Sequence, residues 1–308
     1  MADIYDVIII GAGPAGYTAG IYSARGGHNT IVISGMLPGG QLVNTTEVEN
    51  YPGFEKGILG PDLMNIMRKQ AENMGAKIED STVVNVNFKK NPFKIATSKK
   101  EFLGKAVIIA TGANPRKLGI KGEKEFSGRG VSYCALCDGP LFKGKALLVI
   151  GGGDTAMEES NFLSKFATKV HLVHRRDKFK ASRIMQERTL KNKKIQIHWD
   201  TEVEEIQGTQ MVEKVVLKNN KTNERTTLDI GGIFVAIGHE PNTSLFSGHI
   251  KLDKKGYIIV KNNTETSVKG VFAAGDVHDH KYRQAVTAAG FGCMAAIEAD
   301  EYLNELKK

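Results

Sequence analysis

Cys134-Ala135-Leu136-Cys137-Asp138-Gly139 concentrates the most chemistry in the fewest residues of this sequence. Two cysteines with two residues between them can close a small disulfide ring. The same spacing supports a thiolate of lowered pKa when one of the pair opens a helix. The acid that follows, Asp138, stands where a proton can be handed to a sulfur or taken from it. By itself the spacing also fits a structural CxxC, a pair of buried thiols or half of a metal site. A zinc or iron–sulfur centre wants about four soft ligands. The remaining cysteine, Cys293, lies in a small-residue helical pattern, and no histidine stands at ligand spacing beside it. No metal is expected.

A phosphate-loop pattern lies on either side of the dithiol. Ile4 to Ile10 is apolar nearly throughout, as a strand buried on both faces of a parallel sheet reads, and it runs into Gly11-Ala12-Gly13-Pro14-Ala15-Gly16. In such a loop the first glycine allows the tight turn and the second lets the backbone approach a pyrophosphate. The third lets the following helix, here 15 to 25, pack close to the strand, and its first N–H groups face the anion. The strand Lys145 to Ile150 repeats the arrangement into Gly151-Gly152-Gly153-Asp154-Thr155-Ala156. A dithiol between two dinucleotide sites points to an electron relay from nicotinamide through a flavin to a disulfide. The strand Lys169 to Val173 ends in His174-Arg175-Arg176, with Lys180 beyond. Cations there suit the 2′-phosphate of an NADP-type cofactor. After the strand Thr30 to Ile33, where an acid usually meets the ribose, the chain has Ser34 and Gly35. That ribose contact must come from elsewhere.

The elements that position these groups follow from periodicity and turn chemistry. Met36 to Leu42 reads as a Gly- and Pro-rich loop carrying Gln41, and Asn50-Tyr51-Pro52-Gly53 as a second turn. Gln41 and Asn50 fit either an isoalloxazine edge or hydrogen bonding within their own loops. Pro61 opens a helix to about Met74. Thr82–Phe88 and Phe93–Thr97 pair around Asn91-Pro92, and an apolar strand leads to Ala110-Thr111-Gly112. Asn114 to Gly122 is a linker. Ile195–Trp199, Val212–Lys218, Thr226–Asp229 and Ile233–Ile237 read as strands, Gly238 to Asn242 as the turn back, and Lys251–Val260 as two short strands. A strand from Gly270 ends in Gly275-Asp276, whose acid can bond a ribityl hydroxyl. Tyr282-Arg283-Gln284-Ala285 opens a small-faced helix to about Leu303, whose first N–H groups suit a flavin pyrimidine. The expected fold is α/β: two Rossmann-like three-layer nucleotide-binding domains, the second inserted into the first. Residues 1–116 and 246–308 form an FAD-binding domain, and 117–245 an NAD(P)H-binding domain with the CxxC.

Composition sets the outer bounds. The 308 residues are 41 % apolar and 25 % charged, ordinary for a soluble chain of two domains. Three cysteines argue against a disulfide-stapled secreted protein and for the reducing cytosol. No run of about 18 apolar residues exists, so no membrane span is expected. The net charge of +8 reads as a solvated surface, or as steering of an anionic cofactor or acidic partner. With aromatics at 7 %, nucleic-acid binding is not expected.

Taken together, these motifs resemble the low-molecular-weight thioredoxin reductases over nearly the whole chain. The matching segments are Gly11 to Gly16, Gly39-Gly40-Gln41-Leu42, Glu49 to Gly53, Ala110-Thr111-Gly112 and the CxxCDG. They continue with Gly151 to Ala156, His174-Arg175-Arg176, Gly275-Asp276 and Tyr282 to Ala285. The resemblance implies an FAD- and NADPH-dependent cytoplasmic homodimer that reduces the disulfide of thioredoxin, with the inserted domain rotating on its linkers near 117 and 245. It implies that Cys137 lies against the flavin, that Cys134 attacks the substrate disulfide and that Asp138 exchanges protons with the thiols. Gln41, Asn50, Asp276, Arg283, Gln284 and Ala285 match the family's flavin contacts, and Arg175 and Arg176 its phosphate-binding arginines. The sequence departs from the family at Leu136, where threonine is usual, and at Lys180, where an arginine is usual. An NADH-preferring variant, or one serving another disulfide carrier, is the alternative.

Overall fold

The computed structural model describes residues 4–35, 37–45 and 47–308. Met36, the first residue of the expected Gly/Pro loop, lies outside them. The described residues divide into two compact units, one from the chain up to Asn114 with Glu240–Lys308, the other Pro115–His239. The nesting matches the expectation. Residues 240–245, assigned from sequence to the inserted domain, lie with the first unit, and 115–116, assigned to the first domain, lie with the second unit.

In the first unit, parallel strands run in the order Lys77–Glu79, Thr30–Ile33, Ile4–Ile10, Glu101–Ile109, Val271–Ala273. Glu101–Ile109 divides its partners. Its first half pairs antiparallel with Phe93–Thr97, and its second half takes Val271–Ala273 in parallel. Phe93–Thr97 in turn pairs with Val83–Asn87 across the expected turn, where Asn91-Pro92 is cis. The period of two sorts the central strand to both sides. Val7 and Ile9 pack with the helices α1 (Pro14–Arg25) and α2 (Gly60–Asn73) and the C-terminal helix, while Ile8 and Ile10 pack with the antiparallel layer and Phe246. All four are buried, each contributing roughly 1.5–3 kcal/mol. The two short strands expected over Lys251–Val260 reduce to a single bridge, Leu252 to Ile258.

The second unit repeats the plan with five parallel strands, in the order Val131–Ser132, Gly232–Val235, Ala146–Ile150, Lys169–Val173, Ile195–His198. A one-turn helix α3 (Ala135–Asp138) and helices α4 (Asp154–Leu163) and α5 (Arg183–Lys191) accompany them. The strands Val212–Asn219 and Arg225–Asp229, expected from sequence, form a separate antiparallel sheet with Thr201–Gly208, which the sequence reading passed over. This sheet packs through Val203, Ile206, Val215 and Leu217 against Leu148, Ile150 and Ile233.

Candidate active site

The dithiol is positioned by an abrupt change of backbone. Val131–Ser132 is an edge strand, paired as Ser132 to Phe234. Cys134 is still extended, at φ −144° and ψ 99°, and serves as N-cap of α3. That helix turns Cys137 back over Cys134, and the two sulfurs are bonded. The Cys137 N–H donates to Cys134 Sγ at 3.2 Å. A donor aimed at sulfur favours its anion once the bond is opened. On this unit Cys134 is half-buried, and Cys137 and Leu136 are exposed. Burial raises the Asp138 carboxyl above its ordinary pKa, and the Ser132 hydroxyl, donating to Oδ2 at 2.6 Å, offsets part of that.

A second anchor holds the approach to Cys134. Glu123, buried at 3 % exposure, accepts the N–H groups of Leu118 and Gly119 at 2.9 and 2.8 Å and the Tyr133 hydroxyl at 3.0 Å. Burial and the carboxylate hold that phenol above its usual range. Sequence reading missed Glu123. It stands just past the linker with Glu125 two residues on, and nothing in the local pattern set it apart.

The two glycine loops divide their labour by clearance. Gly11, at φ +110°, leaves no room for a Cβ, which would lie 2.3 Å from the Ala110 carbonyl oxygen, and a Cβ on Gly16 would lie 1.9 Å from that of Gly11. Both are demanded by the protein's own packing. Gly13 is not, since a Cβ there would meet nothing within 4 Å. The N-terminus of α1, with Pro14 and Ala15, has no side-chain cap and no acid in its first turn, so its N–H groups are available to an anion. The second loop follows the same rule. A Cβ on Gly151 would crowd the Ala236 carbonyl oxygen at 2.5 Å and Ala156 Cβ at 2.7 Å, whereas Gly153 is clear.

Around the first loop the expected polar residues come together in two groups. Gln41 Nε2 donates to Asn114 Oδ1 at 2.6 Å and Asn114 Nδ2 to Asn242 Oδ1 at 3.0 Å. Thr111, beside Gly112, exchanges two bonds with Asn242. Asn114 and Asn242 carried no motif, and only the fold reveals them. Elsewhere, Asn50 Nδ2 donates to Gln284 Oε1 at 3.3 Å. Gln284 caps α6 (Ala285–Glu305) in a capping box with Thr287. Arg283 before it has φ +50°, and Asp279 holds that turn by accepting the N–H groups of Lys281, Tyr282 and Arg283. Gly275 lies between Ala15 and Ala288, and a Cβ on Gly292 would lie 2.1 Å from the Ala15 carbonyl oxygen. The small face of α6 therefore presses directly on the start of α1. Asp276 sits in this cluster, where burial and neighbouring Asp279 push its carboxyl up to about 7. Burial brings His278 down to about 4, and its Nε2 is buried with no hydrogen-bond partner. An orphaned buried nitrogen, an uncapped helix start and an unexplained glycine all fit a bound dinucleotide.

At the second loop, the chain after Lys169–Val173 folds back onto it. The Lys180 N–H donates to the Gly152 carbonyl at 2.7 Å, and Ser182 donates through N–H and hydroxyl to Asp154. Those bonds hold the Asp154 carboxyl below its ordinary pKa. Thr155 is half-buried in the first turn of α4, and Arg175, Arg176 and Lys180 are exposed. His174, expected among the cofactor contacts, is 8 % exposed, and its ring fills the space a Gly152 Cβ would take. It lies against the packed pair Phe179 and Trp199, with Nε2 on the Lys178 carbonyl at 2.8 Å. It supports the loop from beneath.

Residues 5–292 match the family model described as pyridine nucleotide-disulphide oxidoreductase. The chain belongs to this family. It is 52 % identical to a thioredoxin reductase of Streptomyces coelicolor over 99 % of its own length and 96 % of the relative's. Two solved thioredoxin reductases superpose on it. The one from Giardia duodenalis has TM-score 0.93 and 45 % identity, covering 98 % of this chain and 99 % of the other. The one from Streptococcus pyogenes has TM-score 0.94 and 40 % identity, covering 99 % and 100 %. Among the described residues of this oxidoreductase, no group of three His, Cys, Asp or Glu side chains could hold a metal ion, and no helix is long and apolar enough to cross a membrane.

Proposed function

We propose that the chain is an NADPH- and FAD-dependent thioredoxin-disulfide reductase working through Cys134 and Cys137. The observation that carries this reading is the bonded cysteine pair followed by a carboxyl whose proton affinity is raised by burial. The unit that holds FAD is the one with Gly11, Gly13, Pro14, Ala15, Gly16, Gln41, Asn50, Thr111, Gly112, Asp276, Arg283, Gln284 and Ala285. NADPH belongs to Gly151, Gly153, Asp154, Thr155 and Ala156, with Arg175, Arg176 and Lys180 meeting its extra phosphate and His174 supporting the loop. Bound FAD supplies two-electron transfer from the nicotinamide to the disulfide. The residues do the rest. Cys137, the more exposed thiol on its own unit, faces the cofactor. Asp138 gives a proton to one of the two sulfurs when the ring opens and recovers it when the ring closes, and Cys134 attacks the incoming disulfide. The enzyme works in the cytoplasm as a homodimer, with no nucleic acid and no membrane involved.

The test is NADPH- and NADH-driven reduction of thioredoxin, followed through insulin turbidity. The expected result is a higher kcat/KM with NADPH, lost in both Cys134→Ser and Cys137→Ser while each variant still binds FAD. Preference for NADH would overturn the cofactor assignment. Retention of thioredoxin reduction in both variants would overturn the dithiol relay.

A further inference from the structure

Ser132 matched no motif, yet its hydroxyl joins the acid to the backbone of the attacking cysteine. The residue is 5 % exposed. Its Oγ lies 2.6 Å from Asp138 Oδ2, accepts the Cys134 N–H at 3.1 Å and lies 3.3 Å from the Cys134 carbonyl oxygen. A hydroxyl has one proton and two lone pairs. The Cys134 N–H occupies one lone pair throughout. One proton and one lone pair then remain for two neighbours, the Asp138 carboxyl and the Cys134 carbonyl. When Asp138 is ionised, Ser132 donates to it. When Asp138 is protonated, the carboxyl donates to the free lone pair and the serine proton turns to the Cys134 carbonyl. Every group stays bonded in both states with no heavy atom displaced.

We propose that Ser132 is a positioning residue of the dithiol chemistry, a rotating hydroxyl that holds the Asp138 carboxyl and the Cys134 main chain at one separation in both protonation states. This rests on the reading that Asp138 serves the thiols. The hydride of NADPH brings two electrons and a proton: the electrons break the S–S bond into two thiolates and the proton passes to solvent. The Asp138 proton makes one sulfur a thiol, leaving the other a thiolate and Asp138 a carboxylate; when the ring closes, the two electrons pass to the partner's disulfide, that thiol's proton returns to Asp138, and the partner's sulfurs take protons from solvent. The groups around Asp138 are few. The influences on it are burial and this hydroxyl. The packed helix α4 carries Asp154, Glu158 and Glu159, the segment 139–142 carries no ionisable side chain, and Cys134 and Cys137 titrate only once reduced.

The test uses Ser132→Ala and Ser132→Thr in the holoenzyme, alone and with Asp138→Asn. Thiol formation after mixing with NADPH is followed by acid quench and alkylation, a readout that needs no thioredoxin. Ser132→Ala removes the bond that favours the ionised acid. The expected result is a pH midpoint about one unit higher and, on the low-pH plateau where Asp138 is protonated in both proteins, a step up to about tenfold slower because the acid is weaker. Ser132→Thr restores the midpoint, and Ser132→Ala adds nothing in the Asp138→Asn background. An unmoved midpoint, or an undiminished loss in that background, overturns the proposal. An infrared titration of the Asp138 carboxyl in the oxidised protein, which requires no turnover, decides the same point, again with an unmoved midpoint counting against Ser132. If Asp138→Asn alone leaves thiol formation unchanged, the proton role assigned to Asp138 fails, whereas the infrared shift still decides what Ser132 does to the carboxyl.

Discussion

Two aspartates among the described residues hold protons more tightly than a surface aspartate does, and each has a measurable consequence. For Asp276, burial and Asp279 push the pKa up to about 7. A carboxyl whose folded pKa exceeds its unfolded value binds more protons in the native state. Its stabilising contribution is whole below about pH 4 and is lost as pH rises towards its folded pKa. The apoprotein's Tm is therefore expected to carry a component that falls over that window, and Asp276→Asn to remove it. Parallel Tm–pH curves for the two proteins would show that the carboxyl is already ionised. For Asp138, raised mainly by burial, the consequence is kinetic. Asp138→Asn is expected to slow thioredoxin turnover by about 10²-fold or more with FAD still bound, as read by steady-state rates beside the flavin spectrum. At this scale the sequence disclosed the groups that do chemistry, because Cys-x-x-Cys-Asp has a mechanism at fixed spacing. It concealed Ser132, Glu123 and Asn242, which act only through neighbours the fold supplies, and it offered His174 as a ligand where packing makes it a support.

The glycine loops show why elements were easier to read than their partners. Strand, glycines and helix occur in sequence order, so Ile4–Ile10 with α1 and Ala146–Ile150 with α4 were legible from local pattern. The short strand Lys77–Glu79 and the first strand of the antiparallel sheet, Thr201–Gly208, were not. The latter has only two apolar residues, Val203 and Ile206, both buried, among three glutamates and a glutamine, and its role depends on a partner in the same layer. Clearance separates the glycines the fold needs from those a ligand needs. Gly16→Ala places a methyl against the Gly11 carbonyl, and a backbone obstacle cannot move aside as a side chain can. A loss of about 3 kcal/mol or more is expected in urea unfolding of the apoprotein. Gly13 has an extended φ of −82° and open space at Cβ, so Gly13→Ala is expected to leave the apoprotein's unfolding unchanged while FAD is lost on desalting. Equal destabilisation by the two substitutions would mean that Gly13 serves packing after all.

At the scale of the molecule, what the fold leaves exposed bears on assembly. Helix α6 buries its small face, Ala288, Ala289, Gly292, Ala295, Ala296 and Ala299, against its own unit. Its other side carries Val286, Met294 and Ile297 at 44, 39 and 49 % exposure, spaced three and eight residues apart so that they share one stripe. Tyr22, 45 % exposed on the adjoining α1, joins them beside Cys293. A stripe of branched and aromatic side chains along two packed helices is the kind of surface a two-fold axis buries against itself. Placing a charge in such a buried centre costs more than any rim contact returns. Ile297→Asp and Met294→Asp are therefore expected to convert the proposed homodimer into a monomer in light scattering behind size exclusion, with the unfolding transition of each unit retained. A substitution at Ile184 or Leu190, still more exposed apolar residues on α5 of the other unit, provides the comparison. If aspartate there dissociates the protein and aspartate at Met294 and Ile297 does not, the homodimer is built on the inserted unit and the α6 stripe has some other occupant.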